Sequence, residues 1–142
     1  MTDAVQTMIP HLVVSPAGDA IDFYQKAFGA TEVMRVPAED GERVLHAELR
    51  VNGIRIFLRD DFPEAECQHG ARVTAPTTLH GTSIVLHLEV ADCDTAVQRA
   101  ADAGARVAMK PWDAFWGARF GMIEDPFGHV WSFAHPLPAK PN

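Results

Sequence analysis

HLVVSPAGDAIDFYQKAFGA, His11 to Ala30, is read twice in this chain: it returns as HLEVADCDTAVQRAADAGA, His87 to Ala105, with a one-residue gap. His11, Leu12 and Val14 meet His87, Leu88 and Val90; Ala20 and Ile21 meet Ala96 and Val97; Gly29-Ala30 meets Gly104-Ala105. The register persists beyond this stretch, since Met34-Arg35 falls on Met109-Lys110 and Gly53 on Gly128. Two unrelated strand-helix segments can look alike, but they do not hold one offset through the strands that follow. The chain is therefore read as a tandem duplication.

Each copy has the same grammar. Met8 to Val14 is apolar and short enough for a strand, and Ser15-Pro16 then offers an N-cap and a proline for the first helical position. Ala20, Ile21, Tyr24 and Phe28 recur at helical spacing, and Gly29 stands where a helix end favours a left-handed residue. In the second copy Asp92 is the cap, Ala96, Val97, Ala100 and Ala103 form the stripe, and Gly104 is the stop. Three strands follow each helix: about 31–36, 44–51 and 54–60, then 106–110, 119–124 and 130–135. Asn52-Gly53 is a strong hairpin signal, and Asp125-Pro126-Phe127-Gly128 fits a proline-initiated turn. The predicted fold class is α+β, with two tandem βαβββ units over residues 8–60 and 83–135 in a single domain spanning 1–142. A surface connection rich in Pro, Thr, Gly and charge covers 61–82, and a proline-rich tail 136–142. Long connections of this kind are often functional lids.

Composition narrows the function classes. A chain of 142 residues with 47% hydrophobic residues can bury a real core but is short for two ordinary domains. Asp and Glu number 19 against 12 Lys and Arg, with no basic run, so nucleic acid is not the expected partner. No apolar stretch approaches the roughly 20 residues of a membrane span, and MTDAVQTM lacks the basic flank and apolar run of a secretory signal, so a cytoplasmic protein without a membrane partner is expected. Cys67 and Cys93, without CxxC spacing or a His at metal-ligand spacing, read as free thiols of a reducing compartment.

Period-two alternation then sorts the strand residues. Leu45, Ala47, Leu49 and Val51 share one face, as do Ile54, Ile56 and Leu58; Leu12 and Val14, Leu86, Leu88 and Val90, and Trp131 and Phe133 are likewise placed under the helices. The opposite faces collect His11, His46, Glu48, Arg50, Arg55, Phe57, Arg59, His87, Glu89 and Ser132. A solvated sheet face accounts for Arg50 and Arg59. His11 and His87 occupy equivalent places in the two copies, which suits a shared cavity. His46 and Glu48, two apart on one strand, are same-face neighbours suited to share a proton, a metal or a ligand, and are the candidate catalytic pair. In PWDAFWGARFG, Trp112, Phe115 and Trp116 make the segment too aromatic for a plain loop; Phe115 is assigned to the core, Trp116 to a ligand wall. Alternation that buries Phe120 and Met122 turns Arg119 to the cleft as an anion contact. Asp60, Asp61 and Glu64 are read as a solvated turn.

The duplicated unit, HLVVSPAGDAIDFYQKAFGA, the strand HAEL, the loop FWGARFG and the ending DPFGHVWSF together resemble the vicinal oxygen chelate superfamily, which holds glyoxalase I, bleomycin-resistance proteins and extradiol dioxygenases, and most resemble its PhnB-like branch. The resemblance covers nearly the whole chain. It implies paired units that curl into a half-open barrel around a small-molecule cleft, and a homodimer. It also implies a divalent metal held by the first and last strands of each unit, but those positions fall here at Ile9, Phe57, Val85 and Ser132, none a good ligand. A displaced metal site would draw on His11, His46, Glu48 and His87.

Two functions follow. One is a glyoxalase-like lyase or isomerase acting by proton transfer, with Glu48 or a histidine as base and Arg119 steadying an enediolate-like anion, while His11, Arg55, Phe57, His87, Trp116 and Ser132 bind substrate. The other is a non-catalytic protein that sequesters a drug or metabolite; acidic and aromatic-walled, it would suit a cationic planar ligand.

Overall fold

In the computed structural model, residues 4–65 and 70–139 are described; Cys67 lies outside them. The first copy runs β1 (His11–Val13), α1 (Ala17–Phe28), β2 (Thr31–Pro37), β3 (Val44–Val51) and β4 (Ile54–Arg59). A short 3-10 turn at Pro63–Ala65 and a one-turn helix α2 (Pro76–Leu79) lie in the connection. The second copy repeats the order as β5 (Val85–Glu89), α3 (Cys93–Ala103), β6 (Arg106–Asp113), β7 (Ala118–Glu124) and β8 (Val130–Pro136). Among the described residues the strands make two four-stranded sheets, β1-β4-β3-β2 and β5-β8-β7-β6. In each, the first strand pairs parallel with the last and the remaining pairs are antiparallel. The duplication read from the sequence is thus a duplication of topology. No helix of the described residues is long and apolar enough to cross a membrane.

The glycine stop of α1 behaves as its sequence demands: Gly29 is left-handed at φ 69°, and its N–H closes on the Gln25 carbonyl. Asn52 and Gly53 both take positive φ, 46° and 82°, as the tight β3–β4 hairpin requires. The start of α1 differs from expectation. Pro16 occupies the N-cap and no side chain of the cap contributes, so Ser15 is not the capping group. Asp60, at the end of β4, supplies the acceptor instead: its Oδ1 takes the Ala17 N–H at 2.9 Å and its Oδ2 the Val44 N–H at 2.6 Å. Asp60 is therefore a buried structural carboxylate rather than a solvated turn residue. At α3 the expected cap is present, Asp92 Oδ1 accepting from Thr95 N–H at 3.0 Å.

One core serves both copies. Residues of α1 and α3 and the helix-facing side chains of both sheets form one buried apolar cluster. α1 reaches across: the Phe28 ring lies 4.6 Å from that of Trp131 on β8, and the Tyr24 hydroxyl donates to Asp125 Oδ2 at 2.6 Å. Asp125 gathers this junction, since its Oδ2 also accepts from Trp131 Nε1 and its Oδ1 from the Phe127 and His129 amides. Because α1 touches the inner faces of both sheets, the other faces look away from the shared core and stay open.

Two expected placements change. A register shift in β3 beside Val36 and Pro37 of β2 turns Leu45 outward, so it is exposed, while Val44 takes the buried place. The connection is also better anchored than its composition suggests. Asp61 accepts from the Thr74 hydroxyl and the Ala75 amide, Arg43 binds Glu64 at 2.8 Å, and Pro76 packs so closely on Gly128 that a Cβ there would lie 2.8 Å from it. Asp61 is thus a loop fastener rather than a solvated charge, while Glu64 is exposed as expected and pairs with Arg43 at the surface.

Candidate functional site

The open face of the first sheet is built by register. His11 on β1 lies beside Phe57 on β4, which lies beside Glu48 on β3. The His11 and His46 rings stand 5.7 Å apart, and each packs edge-on against Phe57, at 5.8 and 4.7 Å. Partial burial, then the charges of Arg59 and His46, hold the His11 imidazole below the usual histidine range. Glu48 does not share this cluster's protons. Arg55 donates to it at 2.9 Å and Arg50 at 3.4 Å, and the Arg55 hydrogen bond, with the positive charge it brings, keeps the Glu48 carboxyl below its ordinary range. A carboxylate held so is a weak base. Arg55 also lies over the Phe57 ring, 5.2 Å from its centroid, so Glu48 and Arg55 together brace that ring.

The open face of the second sheet has a different chemistry. His87 Nδ1 and Ser132 Oγ share a hydrogen bond of 2.7 Å, at the paired positions equivalent to His11 and Phe57. The His87 ring stacks on Phe120 at 6.1 Å, Phe120 meets Trp116 at 5.6 Å, and Trp116 meets Trp112 at 5.7 Å. A continuous aromatic wall results, and its Phe120 component was expected in the core. Phe115, also expected in the core, is 93% exposed at the tip of the β6–β7 hairpin, its ring against Trp116.

Arg119 is on the other side of β7. It donates to both carboxylate oxygens of Asp94 on α3, at 2.9 and 3.1 Å, and to Asp113 at 3.0 Å, which removes it from the cleft. The cause is Gly121, the next residue on that face: a Cβ there would lie 3.0 Å from Val97 and 3.4 Å from Cys93, so α3 approaches β7 where β7 has no side chain. The helix-facing set is Arg119, Gly121 and Ile123. The larger apolar residues Phe120 and Met122 line the open face instead. A glycine between two bulky residues was the signal that could have assigned them.

The donor set does not fit a divalent metal. Phe57 occupies the strand position beside His11, the Arg59 guanidinium adds positive charge, and Glu48 is held by two arginines. His87 lies on the other sheet, bound to Ser132, with Nε2 3.5 Å from Glu89. Among the described residues no three His, Cys, Asp or Glu side chains group as metal ligands. Within one chain the displaced set of His11, His46, Glu48 and His87 is therefore divided between the two sheets. Ile9 is half-buried and Val85 exposed on an edge strand.

A family profile described as the Glyoxalase/Bleomycin resistance protein/Dioxygenase superfamily matches residues 5–133. An uncharacterized protein of Mycobacterium bovis is 49% identical over 128 residues, 90% of this chain and 82% of that one. The crystal structure of an Arabidopsis thaliana gene product superposes with a TM-score of 0.71 at 29% identity, covering 93% of this chain and all of the other. TioX from Micromonospora sp. ML1 shares the fold at 24% identity, with a TM-score of 0.67 and coverage of 94% and 100%.

Proposed function

Because the chain belongs to the glyoxalase/bleomycin resistance protein/dioxygenase superfamily, we propose that it is a metal-independent small-molecule-binding protein whose cleft is completed in a homodimer. One observation carries this reading: each sheet has a ring-lined open face, and α1, wedged against the inner faces of both sheets, keeps the two open faces of one chain apart. Closing them needs a second copy, with the His11, His46 and Phe57 face of one protomer set against the His87, Phe120 and Trp116 face of its partner. Exposed apolar side chains at Ile84, Val85, Met109 and Trp112 are the surface such an association would bury. The resemblance of its motifs to the PhnB-like branch is consistent with this assembly.

The aromatic wall selects a planar ligand, for which Trp112 and Trp116 are built-in reporters. The test is light scattering for the oligomer, together with tryptophan fluorescence titration against planar aromatic compounds on intact protein. A dimer with saturable quenching is the expected result; a monomer with a flat response overturns the reading.

A second reading, proton-transfer catalysis as a lyase or isomerase, is favoured by the depressed His11 imidazole beside His46. In it the neutral His11 ring is the base, and Glu48 and Arg55 position Phe57. Arg119, on the helix side, takes no part. Solvent deuterium appearing at the carbon next to a substrate carbonyl, and lost in His11→Asn, would distinguish catalysis from sequestration.

A further inference from the structure

Residues 62–65 and 71–78 of the connection, with Leu45 and Arg59 of the first sheet, line a partly open cavity of about 370 Å³, within the range of ligand sites. Leu45, Phe62 and Val73 give it apolar walls, and Arg59, Arg72 and Thr74 add polar atoms. Leu45 is there because of the β3 register shift, and Phe62 is held in place by the Arg43 guanidinium 4.3 Å above its ring. These are built features of the fold.

Charge decides what the cavity takes. The chain carries a formal charge of −7, and most other described arginines have found carboxylates: Arg35 with Glu32, Arg43 with Asp40 and Glu64, Arg50 and Arg55 with Glu48, Arg106 with Glu124, and Arg119 with Asp94 and Asp113, while exposed Arg99 bonds the Lys26 carbonyl outside this cavity. Arg59 is different. Half-buried, it donates one hydrogen bond to the Asp60 carbonyl, and among the described residues neither it nor Arg72 pairs with a carboxylate. A guanidinium has five N–H donors, so most of the Arg59 fork is uncommitted. Among the described residues the nearby carboxylates have other partners: Asp60 the Ala17 and Val44 amides, Asp61 Thr74 and Ala75 through Oδ2, its Oδ1 having none, and Glu64 Arg43. Arg59 also lies close enough to His11 for its charge, after burial, to help hold that imidazole low. An acidic protein thus keeps a local positive site next to an apolar cavity.

We propose that this cavity is a subsite for a small organic anion, whose carboxylate or phosphate group is gripped by Arg59 while a compact apolar body rests on Leu45, Phe62 and Val73. This rests on the small-molecule reading above and sets the ligand's charge opposite to the one that the protein's overall acidity suggests. Both head groups match the arginine fork bidentately.

The test is an NMR titration of the intact, isotope-labelled protein with benzoate, phenyl phosphate and neutral benzamide. Benzoate or phenyl phosphate should shift the Leu45, Phe62 and Val73 amides saturably, the tighter of the two identifying the head group, and benzamide should bind at least about tenfold more weakly. Arg59→Gln should weaken the anion about ten- to hundredfold, and Arg59→Lys should restore part of it. Equal binding of anion and amide, unaltered binding in a folded Arg59→Gln, or shifts confined to Trp112 and Trp116 would overturn the proposal. Should Arg59→Gln not fold, the wild-type protein decides: benzoate affinity that does not fall between low and high salt overturns it equally. If a neutral planar compound quenches the tryptophans while neither anion binds, the cleft reading survives and the anion subsite falls.

Discussion

Asp60 and His135 hold the same place in the two copies and meet the same need, each accepting the first backbone N–H of its helix: Ala17 to Asp60 Oδ1 at 2.9 Å, Cys93 to His135 Nδ1 at 2.7 Å. A helix start leaves its amides without partners, and here the last strand of each unit supplies the acceptor across the sheet. The device survived duplication although the residue did not. Asp60 has the larger load, because its second oxygen also takes the Val44 amide. Asp60→Ala should therefore destabilise by about 2–4 kcal/mol, the cost of leaving two buried amides unpaired. Urea denaturation measures it, and a loss near zero would mean that the carboxylate is dispensable.

Gly121 sets how closely α3 can approach β7. A Cβ there would meet Val97 Cγ2 at 3.0 Å, and Val97 is buried and β-branched, with little freedom to turn away. Gly121→Ala should cost about 1–3 kcal/mol as overpacking. Adding Val97→Ala should recover part of that loss relative to the sum of the single changes, and a double-mutant cycle reads the coupling. Strict additivity would show that the two residues do not share the contact.

His11 gives the fold a definite pH dependence. Its folded value lies below the ordinary 6.5, mainly through burial and then through Arg59 and His46. Below pH 6.5 the unfolded chain accepts a proton at this residue that the folded chain refuses. Stability should therefore fall as pH drops from 6.5 toward the depressed value, and level off beneath it. Glu48, also depressed, acts lower: its contribution is present above 4.5 and is lost as pH falls through its folded value. Denaturation midpoints between pH 8 and 5 should slope in wild type and flatten in His11→Asn; the same slope in both would assign the effect elsewhere.

Arg119 and Trp116 should separate cleanly. Trp116→Leu removes a ring from the open-face wall and should weaken a planar ligand about tenfold, the worth of an aromatic pair. Arg119→Gln, which breaks only contacts to Asp94 and Asp113, should leave that affinity unchanged while loosening the β6–β7 hairpin from α3. Fluorescence titration compares the two, and a ligand that needs Arg119 would return it to the cleft.

The fold was legible in the sequence because duplication and local grammar both act over short distances: a repeat that runs from His11 to Gly53 with a single one-residue gap, a helical stripe ending at Gly29, an Asn-Gly hairpin. His11, His46, Phe57, His87 and Ser132 were placed on the right faces by alternation alone. What escaped depends on how closely elements approach. Alternation yields two faces for β7 but not their identity, and the usual inference that bulky apolar side chains are core fails when Gly121 is the residue against a helix. The same limit hid Leu45, displaced by a register shift, and Phe115, apolar but at a hairpin tip. Asp60 was obscured because its partners are 43 and 16 residues away in sequence. Nothing in a run of acidic residues distinguishes one that reaches back to a helix from one that faces water.

Tyr24 and Phe28 stand on α1 where α3 carries Ala100 and Ala103, and that asymmetry reaches beyond packing. With one helix bulky and its twin small, the two halves are not interchangeable: a first half set against another first half would crowd, and two second halves would leave a hollow. The repeat is a pair of unlike halves bound to one another. Their outer sides can therefore differ, one carrying arginine and histidine, the other tryptophan and phenylalanine, without endangering the union that holds them.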